Sequence, residues 1–282
     1  MKFDASGAKQ ISALTIAGSD SRGNAGIQAD IRAFHVFGLH ACTVITALTA
    51  QNPYGVRAVE VPDPAFIGEQ MDAVLEEYGI GALKTGMLAT AEVIEVVAAR
   101  LAKRPDIQKV IDPVMIATSG AKLLRDDAVE AMKQKMLPLA TLITPNIPEA
   151  EVILARSIAS REEMAEAAIE MHKRFGCSVL VKGGHSALNV AADVLFDGND
   201  SIWYSTPSIL APLSTHGTGC SLSAAIAASL ACGREVRAAV AEGKAYVYES
   251  IRCGVYVGAR ATVLGTPGEM DEALADVSVS EV

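Results

Sequence analysis

The chain has 282 residues, of which half are hydrophobic and 20% are charged, so it can bury a large core and is not disordered as a whole. Its net charge of −9 argues against nucleic acid or an anionic membrane as a partner, because both require a basic surface. The five cysteines stand far apart without a C-x-x-C pair, which indicates reduced thiols and neither a disulfide framework nor a zinc site. The polar N-terminus lacks the apolar segment of a signal peptide, so we expect a cytoplasmic protein.

Short β-branched or aliphatic runs alternate with longer helical patterns along the chain. They predict strands at 13–16, 42–48, 82–84, 109–112, 141–144, 178–182, 193–196 and 201–204. Several are apolar at consecutive positions, as in Val179-Leu180-Val181, which is typical of strands buried on both faces of a parallel sheet. The last two flank Asp197-Gly198-Asn199-Asp200 and are predicted to form an antiparallel hairpin. The alternation favours an α/β fold whose mostly parallel sheet is covered by helices.

Three helices have ends that the sequence locates. Apolar residues recur at helical spacing over 66–78. Ser160 and Glu163 have the spacing of a capping box, and Gly176 marks the end of that helix. The segment 217–232 is apolar around most of its circumference, which predicts a helix packed at the centre of the molecule.

Domain organisation follows from what the chain lacks. No repeat, low-complexity linker or shift in composition divides it, so we predict a single domain over 1–282. Its core is expected at about 12–265, with flexible segments at 1–10 and at the acidic end, 271–282.

The most specific candidate for chemistry is Thr215-His216-Gly217-Thr218-Gly219-Cys220-Ser221, which opens the apolar helix. Gly217 and Gly219 let a ligand approach the backbone, where free N–H groups and the helix dipole attract an anion such as a phosphate. Cys220 lies in the first turn, where the pKa of a thiol is expected to fall, so it is a candidate thiolate base or polar positioning group. A glycine-rich turn beside a small buried thiol explains the same residues equally well.

Polar residues also follow several of the predicted strands. Small residues over 17–30 leave space at the carboxyl edge of the sheet, and Asp20 and Asp30 there either orient a substrate or cap a helix. Asp112 and the segment 144–149 follow two further strands, where carboxylates suit Mg²⁺ and equally suit turns.

Two more polar residues extend this set. Lys182 precedes two glycines after a buried strand, so it either meets an ATP phosphate or reaches solvent. Gln51 follows an apolar run and either reads the edge of a heterocycle or is an ordinary loop residue. Neither a G-x-x-x-x-G-K-[ST] motif nor a G-x-G-x-x-G fingerprint is present, which argues against a P-loop NTPase and a nicotinamide dehydrogenase.

Taken together, these segments resemble the hydroxymethylpyrimidine/phosphomethylpyrimidine kinases of thiamine biosynthesis, within the ribokinase-like superfamily. The segments that match, in this order, are 17–30, 46–52, 84–88, 112–115, 144–151, 181–185 and 215–220. The resemblance implies a three-layer α/β/α sandwich with a mostly parallel central sheet. It also implies ATP-dependent phosphorylation of 4-amino-5-hydroxymethyl-2-methylpyrimidine to its monophosphate, and then of the monophosphate to the diphosphate.

The resemblance also assigns roles to individual residues. The residues expected in or beside the pyrimidine pocket are Gly18, Ala25, Asp30, Gln51 and Met87. Those expected in catalysis, around an anion hole, are Gly217, Gly219 and Cys220. The nucleotide is expected to contact Lys182 and Thr218. The residues expected to organise Mg²⁺ and its waters are Asp112, Asn146 and Glu149. ATP and Mg²⁺ are the implied cofactors, and we expect a homodimer without nucleic-acid or membrane partners.

The sequence departs from the family pattern in two places. Where the family usually has Ser-Gly-Gly-Ala-Gly, this chain has Arg22-Gly23-Asn24-Ala25-Gly26, and Asn tolerates a positive φ better than most residues. Beyond Lys244 the family's Gly-His-Gly-rich ending is absent, so the contacts to adenine are expected to differ.

Two alternatives remain open from the sequence. One is a pyridoxal or pyridoxine kinase of the same superfamily, because those substrates are also flat heterocycles with a hydroxymethyl group. The other is a non-catalytic pyrimidine-binding protein, against which the anion hole at 217–220 argues, since a pure binder does not need one.

Overall fold

The structure is a computed structural model that describes residues 11–115, 124, 126–184, 191–209, 211–258, 261–268 and 270–281. The strands, in chain order, are β1 Ser12–Asp20, β2 His40–Asn52, β3 Gly55–Glu60, β4 Ile80–Thr85, β5 Gln108–Ile111, β6 Leu142–Ile143, β7 Ser178–Val181, β8 Ala192–Phe196, β9 Ser201–Ser205, β10 Val255–Tyr256, β11 Thr262–Val263 and β12 Ser278–Glu281. The helices are α1 Gly26–Val36, α2 Pro64–Glu77, α3 Ala91–Leu101, α4 Asp126–Ala131, α5 Ile147–Leu154, α6 Arg161–Phe175, α7 Thr218–Ala231, α8 Val236–Arg252 and α9 Asp271–Ala275.

Ten of the strands form one sheet in the order β12-β9-β8-β7-β6-β5-β4-β1-β2-β3. The central pairs from β7 through β6, β5, β4 and β1 to β2 are parallel. The pairs at the two ends are antiparallel, including the hairpin of β8 and β9. The predictions of a mostly parallel sheet and of this hairpin are therefore confirmed.

The sheet is covered on both faces, which confirms the three-layer arrangement. Neighbouring residues of one strand pack on opposite sides: Val110 belongs to the core beneath α1, α7 and α8, whereas Ile111 belongs to the core beneath α2, α3, α5 and α6. This period of two is the consequence of the strand pleat, and it makes both faces of the central strands apolar.

Two of the predicted helix ends are also found. The Ser160 Oγ accepts a hydrogen bond of 3.2 Å from the Glu163 N–H, and Gly176 ends α6 in the left-handed region with φ 75°. The Glu163 carboxylate accepts from the Ala159 N–H, one residue before the position that a full capping box requires. In α7, Ser221 to Ala231 are all buried, as predicted for a central helix.

The C-terminal segment corrects one expectation. We expected 271–282 to be flexible, but residues 271–281 include α9 and β12, and β12 pairs antiparallel with β9. The reason is that β9 would otherwise present an open row of backbone N–H and C=O groups, which β12 fills despite its exposed side chains. The predicted flexibility of 1–10 falls outside the described residues. None of the helices in the described ranges is both long and apolar enough to cross a membrane.

Candidate active site

A cavity of about 540 Å³ lies at the carboxyl ends of the central parallel strands, against the N-terminus of α7. This edge is where open α/β sheets bind their ligands, because the loops that follow the strands diverge there. The predicted site residues that line the cavity are Gly18, Ala25, Gln51, Met87, Asp112, Asn146, Glu149, Lys182, Gly217, Thr218, Gly219 and Cys220. The structure thus brings together residues from six different strand ends, although the roles assigned to them stay predictions.

The anion hole is formed where two glycine-containing loops meet. Gly217 precedes α7 with a φ of 91°, and a Cβ at this position would collide with the carbonyl oxygen of Asn24. The N–H groups of Gly219 and Cys220 have no acceptor among the described residues, as expected for the first turn of a helix. Gly217 is therefore required by both φ and space, and the first turn of α7 offers two free donors to an anion.

Asn24 holds the loop that carries the anion hole. Its Nδ2 donates to the carbonyl oxygen of His216 at 2.7 Å and to the Ser214 Oγ at 3.4 Å, while its Oδ1 accepts from the Leu264 N–H at 3.1 Å. It is completely buried. Because this residue departs from the family's usual glycine, its contacts could not be inferred from the resemblance.

Asp112 and Lys182 form an ion pair in the wall of the cavity. The Lys182 Nζ donates to the Asp112 Oδ1 at 2.8 Å, and the Ser223 Oγ of α7 donates to the Asp112 Oδ2 at 3.2 Å. Burial alone would lower the pKa of Lys182, but the charges of Asp112 and Glu149 raise it. Lys182 therefore stays protonated and contributes a positive charge close to the anion hole.

Glu149 lies in the first turn of α5, within a capping box. The Asn146 Oδ1 accepts from the Glu149 N–H at 2.9 Å, and the Glu149 Oε2 accepts from the Asn146 N–H at 2.9 Å. Burial raises the pKa of Glu149 to about 7, with Asp112 adding to the rise and Lys182 opposing it. A positive ligand in the cavity would favour the charged form of this carboxyl.

The hydrogen bonds that these residues already make show which of their oxygens remain available to bind Mg²⁺. Among the described residues, no three His, Cys, Asp or Glu side chains cluster as metal ligands. Asp112 and Glu149 nevertheless present hard carboxylate oxygens to the cavity, and the Asn146 amide oxygen is already used as a helix cap. This donor set fits an ion held through water by two carboxylates and by the phosphates of a nucleotide, which is how Mg²⁺ is often bound.

Asp30 is the one predicted site residue that does not line the cavity. Both of its oxygens lie 2.9 Å from the Lys84 Nζ, and one also accepts from the Thr15 Oγ1 at 2.6 Å. Asp30 and Lys84 are fully buried. The predicted contact between Asp30 and the substrate is therefore corrected: Asp30 is the counterion of Lys84, and it is Lys84 that reaches the cavity.

The predicted fall in the pKa of Cys220 is wrong. Burial raises the pKa of this thiol, and the nearby carboxylates of Asp30 and Asp112 raise it further, whereas Lys84 and a backbone N–H from Gly26 lower it. Desolvation of the thiolate outweighs the field of the helix start. Of the two roles left open by the sequence, the polar positioning group fits the structure, and the standing thiolate base does not.

Sequence reasoning missed two features of the cavity wall. Lys84 stands in an otherwise apolar strand, and a lysine in such a place was a signal that it must have a buried partner. The Gln51 Nε2 lies 3.2 Å from the His216 Nε2, although 165 residues separate them. Asp20 accepts backbone N–H groups from Arg22, Asn24 and Ala25, so it shapes its own loop. It does not cap α1, whose N-cap is Ala25 without a side-chain hydrogen bond.

Comparison with known proteins first gives the class. Solved structures with this fold include vitamin kinases, and the chain shares their ribokinase-like architecture. It is similar to a phosphomethylpyrimidine kinase from Clostridium difficile, with a TM-score of 0.77 and 41% identity over 86% of this chain and 100% of that one. It is also similar to the pyridoxal kinase from Staphylococcus aureus in complex with AMP-PCP and pyridoxal, with a TM-score of 0.85 and 29% identity over 98% of this chain and 100% of that one.

A family model described as phosphomethylpyrimidine kinase matches residues 20–264, and the chain belongs to that family. A hydroxymethylpyrimidine/phosphomethylpyrimidine kinase from Rhizobium meliloti is 46% identical over 85% of this chain and 90% of the relative. A thiamine biosynthesis bifunctional protein from Geobacter sulfurreducens is 44% identical over 88% of this chain, but the chain spans only 50% of that longer relative.

Proposed function

We propose that the protein transfers the γ-phosphate of ATP to the hydroxymethyl oxygen of 4-amino-5-hydroxymethyl-2-methylpyrimidine, and then phosphorylates the monophosphate to the diphosphate for thiamine diphosphate biosynthesis. The observation that carries this proposal is the free first turn of α7 beside Lys182, in the same cavity as Gln51 and Met87. One end of the cavity thus receives an anion, and the other can hold a polar heterocycle. The family and the named relatives support the same substrates.

The phosphate end acts by electrostatic stabilisation. The N–H groups of Gly219 and Cys220 and the Lys182 ammonium receive the charge that spreads over the transferred phosphoryl group. Asp112 and Glu149 would hold Mg²⁺ through its waters, and this ion would neutralise phosphate charge. Because the donors are fixed before the reaction by α7 and by the Asp112 ion pair, little reorganisation is needed when the charge shifts.

At the acceptor end, Cys220 positions the hydroxymethyl oxygen. Its thiol is protonated at neutral pH, since burial raises its pKa. A loose transition state for phosphoryl transfer lets the acceptor's proton leave late, so correct placement of the oxygen contributes more than early deprotonation. Cys220 therefore acts by hydrogen bonding to the acceptor oxygen, and the proton of that hydroxyl group leaves late, to an oxygen of the transferred phosphoryl group or to solvent.

A second candidate function is phosphorylation of pyridoxal or pyridoxine. It is favoured by the similarity to pyridoxal kinase over nearly the whole chain. Identity to the phosphomethylpyrimidine kinases is higher, however, and Gln51 presents a carboxamide that suits an aminopyrimidine edge. A non-catalytic binder has less support, because it has no need for unpaired N–H groups beside a lysine.

Three further expectations belong to the same proposal. The protein works with Mg²⁺, it is a cytoplasmic enzyme, and it forms a homodimer. The acidic composition is consistent with the first, since such a protein binds an anionic nucleotide through local cations and N–H groups and not through its overall charge.

The test is a coupled ADP-release assay on the purified protein with the pyrimidine, its monophosphate and pyridoxal as separate acceptors. We expect turnover with both pyrimidines, a lower kcat/KM for pyridoxal, and loss of all turnover when EDTA removes the divalent cation. Turnover of pyridoxal alone would establish the second candidate, and binding of the pyrimidine without ADP release would establish the binder. Sedimentation equilibrium of the same sample tests the dimer.

A further inference from the structure

The side chains of Gln51 and His216 meet in the wall of the cavity, with 3.2 Å between the Gln51 Nε2 and the His216 Nε2. A carboxamide nitrogen only donates hydrogen bonds, so at this distance the imidazole nitrogen must accept. With the amide turned in this direction the His216 Nε2 is the acceptor, so the contact links the tautomer of His216 to the direction in which the Gln51 amide is turned.

Hydrogen bonds hold the backbone of both residues in place, so the positions from which the two side chains extend are fixed. The Gln51 N–H donates to the Ser21 Oγ at 2.8 Å, and the Gln51 carbonyl oxygen accepts from the same hydroxyl at 3.0 Å. The His216 carbonyl oxygen accepts from the buried Asn24 Nδ2 at 2.7 Å. The two side chains therefore project from anchored backbone, one at the end of β2 and the other in the loop before α7.

Among the residues that the structure describes, the charged side chain near His216 is Asp20, and its oxygens already accept other hydrogen bonds. The Asp20 Oδ2 lies 3.8 Å from the His216 Nε2, which is beyond hydrogen-bond reach. Asp20 instead accepts three backbone N–H groups within its own loop. Asp20 is therefore compensated mainly by these backbone N–H groups, and the Gln51 Nε2 is the nearer partner of the His216 Nε2.

This arrangement leaves defined groups of Gln51 for a ligand. Its Oε1 has no partner among the described residues, and its Nε2 keeps a second hydrogen after one is donated to His216. A carboxamide with a free oxygen and a free N–H pairs in a bidentate way with an amino group next to a ring nitrogen, as it does with adenine. A 4-aminopyrimidine has that edge, whereas an ionised ring oxygen, as in a 3-hydroxypyridine, only accepts.

We propose that His216 is a specificity-determining positioning residue, which holds the Gln51 amide in the orientation that selects a 4-aminopyrimidine over a 3-hydroxypyridine. The inference rests on the proposed function and adds a residue to it. Without the acceptor at position 216, the amide is free to turn and to offer its NH₂ group to a ring oxygen. Selectivity then falls, although the phosphate end of the cavity is unchanged.

The kinetic test compares His216→Leu, which removes the acceptor, with His216→Gln, which restores one near the position of Nε2. In His216→Leu we expect the KM for the pyrimidine to rise about tenfold, the usual effect of one hydrogen bond, with the KM for ATP unchanged and the KM for pyridoxal unchanged or lower. His216→Gln should recover most of the selectivity. His35→Leu, the same change at an exposed histidine of α1, should leave all three constants as in the wild type. Equal rises for pyrimidine and pyridoxal, or no rise for either, would overturn the inference.

A binding cycle makes the test specific for the amino group. Calorimetry measures the affinity of 4-amino-2,5-dimethylpyrimidine and of the analogue without the amino group, for the wild type and for His216→Leu. Removing the amino group should weaken binding about tenfold more in the wild type than in the variant, because only the wild type holds the amide in place. Additive losses would contradict the role of His216.

The tautomer can be checked without any substrate. In protein labelled with ¹⁵N-histidine, the signal of His216 is identified by its loss in His216→Leu, and its Nε2 shift should be that of an unprotonated nitrogen. A protonated Nε2 would refute the inference and leave the proposed kinase activity untouched. Conversely, absence of pyrimidine turnover in the wild type, with an unprotonated Nε2, would refute the proposed function and not the contact.

Discussion

Of the lysine–carboxylate pairs at the carboxyl edge of the sheet, Lys84–Asp30 and Lys182–Asp112 differ most clearly in how completely their charges are satisfied. In the pair Lys84–Asp30, both carboxylate oxygens contact the Nζ, and both residues are fully buried. In the pair Lys182–Asp112, only one oxygen contacts the Nζ, and both residues face the cavity. We call the first pair closed, because Lys84 contacts both oxygens of Asp30 and only Lys84 lines the cavity, and the second pair open, because both of its residues line the cavity.

The difference shows that a buried ion pair at a sheet edge is not by itself a sign of a binding role. A closed pair is already compensated, so a ligand has nothing to gain by competing for it, and breaking the pair costs folding energy. An open pair keeps unused donor capacity on the lysine, and in this protein it stands next to the free N–H groups of α7. Three substitutions and one pH titration test whether the two kinds of pair differ in this way.

The largest effect is expected at Cys220. The charges of both pairs influence the pKa of its thiol: Lys84 lowers it, and Asp30 and Asp112 raise it. Cys220→Ala should lower kcat by about 10²–10⁴, because the acceptor oxygen loses the group that positions it for in-line attack. Steady-state kinetics with saturating ATP measure it, and Cys253→Ala, at a half-buried thiol outside the cavity lining, serves as the control. Wild-type turnover in Cys220→Ala would show that the thiol has no part in catalysis.

Breaking the closed pair should cost stability. Asp30→Asn leaves the buried Lys84 without its counterion and should lower the free energy of unfolding by about 3–5 kcal/mol. Urea denaturation followed by circular dichroism gives this value. The matched control is Asp72→Asn, which breaks the partly exposed pair with Arg100 and should cost about 0–1 kcal/mol. Similar losses in the two variants would mean that the closed pair contributes no more to the free energy of unfolding than a partly exposed pair does.

Breaking the open pair should cost activity more than stability. Lys182→Met should lower kcat by about 10²–10³, the effect of losing one donor to the developing charge. The free energy of unfolding should fall less than in Asp30→Asn, because Ser223 and Thr144 still donate to Asp112. Lys135→Met, at an exposed pair with Glu95, is the control for both measurements. A variant with normal kcat and a large loss of stability would show that Lys182, like Lys84, has a structural role and not a role in phosphate transfer.

The smallest effect is a pH dependence caused by Glu149. Its pKa is raised to about 7 in the folded protein from an ordinary value of 4.5, so the folded state binds the proton more tightly than the unfolded state does. The stability of the metal-free and nucleotide-free protein should therefore fall as the pH rises from about 4.5 to about 7, by up to roughly 3 kcal/mol, and stay level above that.

Comparison of the wild type with Glu149→Gln isolates this contribution from that of other carboxylates. The amide does not ionise, so the difference between the two stability curves should change between pH 4.5 and 7 in favour of the variant. A constant difference over this range would show that Glu149 titrates normally.

Local signals in the sequence predicted most of the architecture and most of the cavity lining. Apolar runs located the central strands, turn residues located the hairpin of β8 and β9, and glycines located the start and end of α7. Strands β3 and β12 were missed because their side chains are largely exposed, which removes the apolar pattern that identifies a strand. Their pairing is set by the open edge of the neighbouring strand.

The sequence by itself thus determined which residues gather at the carboxyl edge, since each polar residue directly follows its own strand or opens its own helix. Only the tertiary structure decided how they pair. Asp30 meets Lys84 across 54 residues and Gln51 meets His216 across 165, and no local pattern encodes such contacts. It also decided that the pKa of Cys220 rises, because the cost of burying a thiolate depends on the whole surrounding fold and exceeds the effect of one helix end.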